Sequence, residues 1–150
     1  MSVRVQTEDF DVAAETEKLL GGRTDVGAIV TFTGRVRGSD EGREIAALTL
    51  EHYPDMTEAE MARIEAEAQA RWSLQASLVV HRVGELRAGD NIVLVITAAA
   101  HREAAFEAAG FLMDYLKTRA PFWKKETTSA GESGWVDARE QDDTAAKRWS

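Results

Sequence analysis

Four cations, Lys117, Arg119, Lys124 and Lys125, fall within nine residues that hold no acid, in a chain of formal net charge −8. Pro121 divides them. Its ring ends any helix arriving through Met113 to Leu116 and pushes Ala120 toward extended backbone. Lys117 is therefore expected near a helix C-terminus, with Lys124 and Lys125 on an extended element beyond the bend. Two lysines delivered from different elements to one bend point to an anion pocket that includes a candidate catalytic amine. A lysine among other cations can offer a neutral amine for attack or proton transfer. Left charged, it would clamp a phosphate or carboxylate. The plainer reading, strongest for Arg119 and Lys125, is a solvated basic patch favoured by the helix dipole.

Other groups carry weaker signals. Thr33-Gly34-Arg35-Val36-Arg37-Gly38 places two arginines at a strand exit, where glycine lets the backbone turn and guanidinium binds anions bidentately. An Arg-x-Arg after a strand is more often simply solvated. His101-Arg102 stands where a strand passes into a helix, a position that already favours anions; a capping or packed histidine is the alternative. His52, His81 and His101 lack the spacing of a zinc triad and read as structural. No dinucleotide-binding glycine motif, Walker loop or serine-nucleophile elbow is present. Trp123 beside Lys124 could stack on a planar ring, although an aromatic in a strand usually packs in the core.

Several elements must position these groups. Val3 to Gln6 alternates as a strand. Asp9 or Asp11 can cap a helix to Leu20, stopped by Gly21-Gly22. Ala28 to Thr33 and Ile45 to His52 read as strands around a polar loop from Gly34 to Gly42. Thr57 and Glu60 have the spacing of a capping box, ahead of an apolar stripe of Met61, Ile64, Ala68 and Trp72. Leu78 to Val83 and Ile92 to Ile96 are strands joined by a loop; the second, wholly apolar, should be central and buried on both faces. A helix from His101 to Arg119 turns Ala105, Ala109, Leu112 and Leu116 to the core, and Phe106, Phe111 and Met113 are expected to pack. Phe122 to Thr128 and Trp135-Val136 are weaker strands. The order gives one α+β domain over 1–150 with two-layer packing, with 142–150 a short helix or a frayed tail.

The bulk properties exclude several classes. With no cysteine among 150 residues, disulfides, thiolate metal sites and a cysteine nucleophile are ruled out. A pI near 4.9 disfavours general nucleic-acid binding, which needs a basic face. No apolar run approaches a membrane span. The N-terminal residues lack a signal-peptide layout, so a cytoplasmic protein is expected.

Taken together, Gly27 to Arg37, Leu48 to Pro54, His81 to Leu86 with Gly89-Asp90, Ala100-His101-Arg102, Met113 to Lys125 and Trp135 to Arg139 resemble the large, catalytic subunits of molybdopterin synthase. The similarity runs through nearly the whole chain in order, and Met113 to Lys124 is its most specific stretch. It implies an α/β-hammerhead fold with an added small antiparallel β subdomain, and a central homodimer. A small ubiquitin-like sulfur-carrier subunit would dock at each end, giving a 2+2 heterotetramer. The carrier's C-terminal Gly-Gly thiocarboxylate would enter a pocket and pass sulfur to cyclic pyranopterin monophosphate, with no metal or other cofactor in this chain. By similarity Lys117 is the main catalytic amine and Lys124 its acid/base or charge-stabilising partner. Arg37, His101 and Arg102 would grip the phosphate, with Arg35, Val36, Lys125 and Glu126 shaping the pocket and Arg139 contributing to a site. The competing readings are a non-catalytic module that captures a carboxylate or phosphate, expected to bind without turnover, and a small RNA-binding protein, expected to show steep salt dependence.

Overall fold

The structure, a computed structural model, describes residues 2–40, 42–131, 133–136 and 140–149; Arg139 lies outside them. The first sheet runs in the order β1 (Ser2–Gln6), β5 (Ala76–Arg82), β7 (Asn91–Ala99), β2 (Ala28–Arg35), with β1 parallel to β5 and the other pairs antiparallel. Strand β7 is internal and apolar because both its faces are covered. Val93 and Val95 enter the main core with Met61, Ile64, Phe111 and Leu112, while Leu94 and Ile96 pack on the opposite face with Phe10, Leu78 and Val80. Fully burying each such side chain contributes about 1.5–3 kcal/mol, which fixes the register.

Helices α2 (Met56–Trp72) and α3 (Arg102–Thr118) cover the first of those faces, and the shorter α1 (Val12–Leu20) covers the second. Asp11 caps α1 as expected, its carboxylate accepting from Ala14 N–H at 3.0 Å. No described helix is long and apolar enough to cross a membrane.

The second sheet is built on β4 (Arg43–His52). It pairs with the two-residue β3 (Ser39–Asp40), with β6 (Gly84–Arg87) and with β8 (Phe122–Thr128), which in turn carries β9 (Ser133–Val136). The chain crosses between sheets at Gly84. Its φ of +93° is open to glycine at little cost and strained for other residues. The bend lets β5 end in one sheet and β6 begin in the other. Arg82 braces the crossing by donating to the Thr7 and Asn91 carbonyls at 2.9–3.1 Å. The mixed α+β class with an added antiparallel sheet, expected from sequence, is the fold of the chain.

Four local expectations are corrected. The polar loop after β2 contains β3, and the loop expected between Val83 and Ile92 contains β6. Thr57 makes no capping box. It lies one residue inside α2 and is fully buried, with its hydroxyl donating to the Pro121 carbonyl and accepting from Tyr53 N–H, both at 3.1 Å. Glu60 pairs with Arg63 at 2.7 Å instead. Phe106, expected to pack, is 63% exposed.

Candidate active site

The bend at Pro121 forms as the sequence indicates. Lys117 occupies the last turn of α3, which ends at Thr118, and Lys124 is the third residue of β8. The buried Thr57 hydroxyl holds the Pro121 carbonyl between them, so the bend is tied to the first turn of α2. Both lysines line a cavity of about 280 Å³, at the small end of the range for metabolite sites.

Each wall has a local origin. Strand β2 ends by delivering Arg35, Val36 and Arg37 to the cavity. Arg35 donates twice to the Gly89 carbonyl, at 2.7 and 3.1 Å, so its guanidinium braces the loop before β7 as well as bordering the space. Leu48 faces Glu126 across the β4–β8 ladder, and Leu50 faces Lys124. Cross-strand partners share a sheet face, so Lys124 and Glu126 project to the same side as the buried Leu48, Leu50 and Leu86. Glu126 is buried and its carboxylate lies 3.3 Å from Arg43. Helix α4 (Glu140–Lys147) adds Asp142.

Four cations, Arg35, Arg37, Lys117 and Lys124, thus face one cavity against two carboxylates, Glu126 and Asp142. In a chain of net charge −8, this local excess gives an anion its favourable field. Val36, Ile92, Ile45 and Leu48 make the remaining wall largely apolar, which strengthens charge interactions by excluding water.

The C-terminal segment is latched to α3 beside this site. Trp149 Nε1 donates to the Asp114 carboxylate at 2.6 Å and Arg148 pairs with it at 3.0 Å. Arg71 lies about 5–6 Å over the rings of Trp72, Phe111 and Trp149, a cation–π cluster. These contacts hold the last turns of the helix that presents Lys117.

Three of the residues assigned to the pocket lie elsewhere within one chain. Lys125 pairs with Thr49 and Trp135, and successive strand residues point to opposite faces. It therefore projects from the side of the sheet away from Lys124. His101 is the N-cap of α3 and Arg102 its first residue, both exposed. Sixteen residues at 1.5 Å per residue put them about 24 Å along the helix from Lys117. Sequence reasoning missed Asp142, Ser39, Ile45, Leu48 and Ile92 as cavity residues. For the apolar three the only signal was strand periodicity; for Asp142, in a polar tail, there was none. Among the described residues no set of His, Asp and Glu gathers as metal ligands.

Two histidines flank the bend. The His81 ring stacks on Phe122 with centroids 3.8 Å apart and planes at 18°, and His52 lies 6.5 Å from the other partner of that contact, Phe122. His81 is half-buried; desolvation of its ring drives the imidazole down to about 4, and the charges of Lys117 and His52 act in the same direction.

The family described as MoaE protein matches residues 5–119. The chain belongs to the MoaE family. It is 62% identical over 149 residues to the molybdopterin synthase catalytic subunit of Mesorhizobium japonicum, covering 99% of this chain and 92% of that protein. It is 58% identical over 130 residues to the molybdopterin synthase catalytic subunit of Escherichia coli, covering 87% and 86%. In structure it is similar to the molybdopterin biosynthesis MoaE protein from Burkholderia ambifaria, with a TM-score of 0.84, 50% identity and coverage of 99% and 97%. Membership places the chain among the catalytic subunits of molybdopterin synthase, enzymes of molybdenum cofactor biosynthesis.

Proposed function

We propose that the cavity at the Pro121 bend is the sulfur-transfer site, where the thiocarboxylated C-terminus of a small ubiquitin-like carrier meets cyclic pyranopterin monophosphate. The observation that carries this reading is the convergence of Lys117 and Lys124 with Arg35 and Arg37 on one cavity. The reaction brings two anions together, a phosphate and a thiocarboxylate, and needs fixed positive charge to hold both. The carrier's sulfur is the nucleophile, so the chain needs no cysteine and has none. Arg37 holds the phosphate. Lys117 moves the proton at the centre where sulfur adds, and Lys124 stabilises the charge that develops on the pterin-derived intermediate. Glu126, paired with Arg43, fixes the sheet face that presents Lys124. Two such transfers build the dithiolene, and the expected setting is the cytoplasm.

His101 and Arg102 enter this reading through a second copy of the chain. A helix about 24 Å long separates them from the Lys117 of their own chain, so they complete the phosphate site of a partner protomer in a central homodimer. Arg139 matches a family pocket position by resemblance, with the subunit it serves left open. A carrier docked at each end gives the 2+2 assembly.

Combining the purified chain with thiocarboxylated carrier and cyclic pyranopterin monophosphate should yield molybdopterin, followed as its fluorescent oxidation product. A stable carrier complex that forms no product would instead establish a binding module.

A further inference from the structure

The segment from His52 to Glu58 joins β4 to α2 through a turn that the backbone resists. Met56 N–H donates to the Pro54 carbonyl at 2.8 Å, closing a three-residue turn around Asp55 at φ +68° and ψ −45°. This form of γ-turn is rare and strained for a residue with a side chain, and such backbone persists only where its surroundings hold it. Two contacts close the segment. Tyr53 N–H donates to the Thr57 hydroxyl at 3.1 Å. His52 Nε2 lies 3.6 Å from Glu58 Oε1, just beyond hydrogen-bond length. That oxygen is buried and has no hydrogen-bond partner among the described residues. Such a state is costly for a carboxylate, so a hydrogen on Nε2 has an acceptor waiting for it.

The same two residues meet the bend. Across the β4–β8 ladder His52 is the register partner of Phe122, with ring centroids 6.5 Å apart, and Phe122 directly follows Pro121. Glu58 directly follows Thr57, whose buried hydroxyl donates to the Pro121 carbonyl at 3.1 Å. The contacts His52–Glu58, Thr57–Pro121 and Phe122–His52 therefore form a closed ring through β4, α2 and the bend. Neither His52 nor Glu58 borders the cavity. Each acts on it by holding what does, since Lys117 stands four residues before Pro121 and Lys124 three after it.

We infer that His52 is a positioning residue, its Nε2–H donating to Glu58 and so holding the strained turn, the Thr57 hydroxyl and the Pro121 bend in the arrangement that aims Lys117 and Lys124 into the cavity. The inference rests on the reading of that cavity as the sulfur-transfer site. Once the contact is opened, Asp55 relaxes toward negative φ. That movement shifts the first turn of α2, and with it the hydroxyl that holds the bend.

The test uses the full chain, at a temperature where every variant is folded. Nitrogen-15 NMR of the parent at neutral pH should show hydrogen on His52 Nε2; a ring carrying it on Nδ1 alone overturns the inference. In reconstituted synthase, His52→Phe keeps a ring beside Phe122 and loses the donor. Its kcat should fall roughly 10- to 100-fold, the cost of a misplaced group, with carrier affinity unchanged. Glu58→Ala should lose as much and the double variant no more, because both open one contact. Adding Asp55→Gly to His52→Phe should recover most of the loss, since glycine adopts this turn without strain. Normal kcat in His52→Phe, losses that multiply in the double variant, or no recovery with Asp55→Gly overturns it. If His52→Phe does not fold, Glu58→Ala with and without Asp55→Gly carries the same test. The NMR result needs no turnover, so its failure is separable from failure of the sulfur-transfer reading, which would appear as an active Lys117→Ala chain.

Discussion

Lys124 and Lys125 are neighbours in sequence and project from opposite faces of the second sheet. Lys124 shares its face with Leu50 and the cavity, and Lys125 shares the other with Thr49 and Trp135. Strand geometry alone separates two residues of identical chemistry.

Their substitutions should therefore diverge. Lys124→Ala is expected to lower kcat by about 100-fold or more, the usual contribution of a positioned acid/base or charge-stabilising group. Lys125→Ala should stay within about threefold of the parent, as a surface change away from the chemistry. Steady-state kinetics of the two variants side by side checks this; equal losses would mean that the sheet face does not decide which lysine acts.

The placement of His101 and Arg102 at the far end of α3 makes a complementation experiment decisive. Lys117→Ala and Arg102→Ala chains should each be inactive alone. Mixed and allowed to exchange, they should regain roughly one quarter of the parent's sites, since each mixed dimer has one intact site and half of the dimers are mixed. Recovery near zero after verified exchange would place Arg102 outside the partner's site.

Much of this was legible in the sequence. Pro121 and the acid-free run from Lys117 to Lys125 fixed a bend with cations on two elements, because a proline's effect on backbone is local. The apolar run of β7 likewise declared a strand covered on both sides. Strand alternation, which puts Lys125 on the face away from Lys124, was readable once β8 was recognised as a strand. Thr57 was misread. Its spacing to Glu60 imitates a cap, but its partner Pro121 is 64 residues away, and no local pattern reports a tertiary acceptor. Strand β6 was missed because four residues, Gly84 to Arg87, are too few to show a period. Phe106 sits on the apolar α3 but is exposed, a distinction that depends on which faces of the helix are covered.

Thr57→Val tests the tertiary role of that hydroxyl. Losing it leaves the Pro121 carbonyl and the Tyr53 N–H without their partner and should cost about 1–3 kcal/mol, lowering Tm by about 2–12 °C. Glu60→Ala, which a capping box would make costly, should change stability by no more than about 0.5 kcal/mol, as it removes only the ion pair to the exposed Arg63. Thermal melts of the two variants check the contrast, and a larger loss in Glu60→Ala would restore the capping box.

His81 gives a pH dependence of definite sign. Its folded pKa near 4 lies below the ordinary value of 6.5, so the unfolded chain binds the proton first as pH falls. The stability that this group supports is complete above about 6.5, declines between 6.5 and 4, and is gone below that window. The expected size is on the order of 2–3 kcal/mol. Buried Glu65, whose carboxyl burial pushes up, works oppositely, because its ionisation as pH rises disfavours the fold. The comparison to make is therefore parent against His81→Phe by denaturant melts from pH 4 to 7. The stability difference between them should change steadily across the window; a pH-independent difference would mean that His81 titrates normally.

The most direct test of the central claim is single-turnover molybdopterin formation by Lys117→Ala and Lys117→Arg, with carrier affinity measured on the same samples. The account predicts at least about a 100-fold loss of rate in Lys117→Ala at unchanged carrier affinity. Lys117→Arg should recover little, because a guanidinium stays protonated and cannot exchange the proton. Near-parent turnover in Lys117→Arg would contradict the account and leave Lys117 as an electrostatic clamp, with the proton moved by another group.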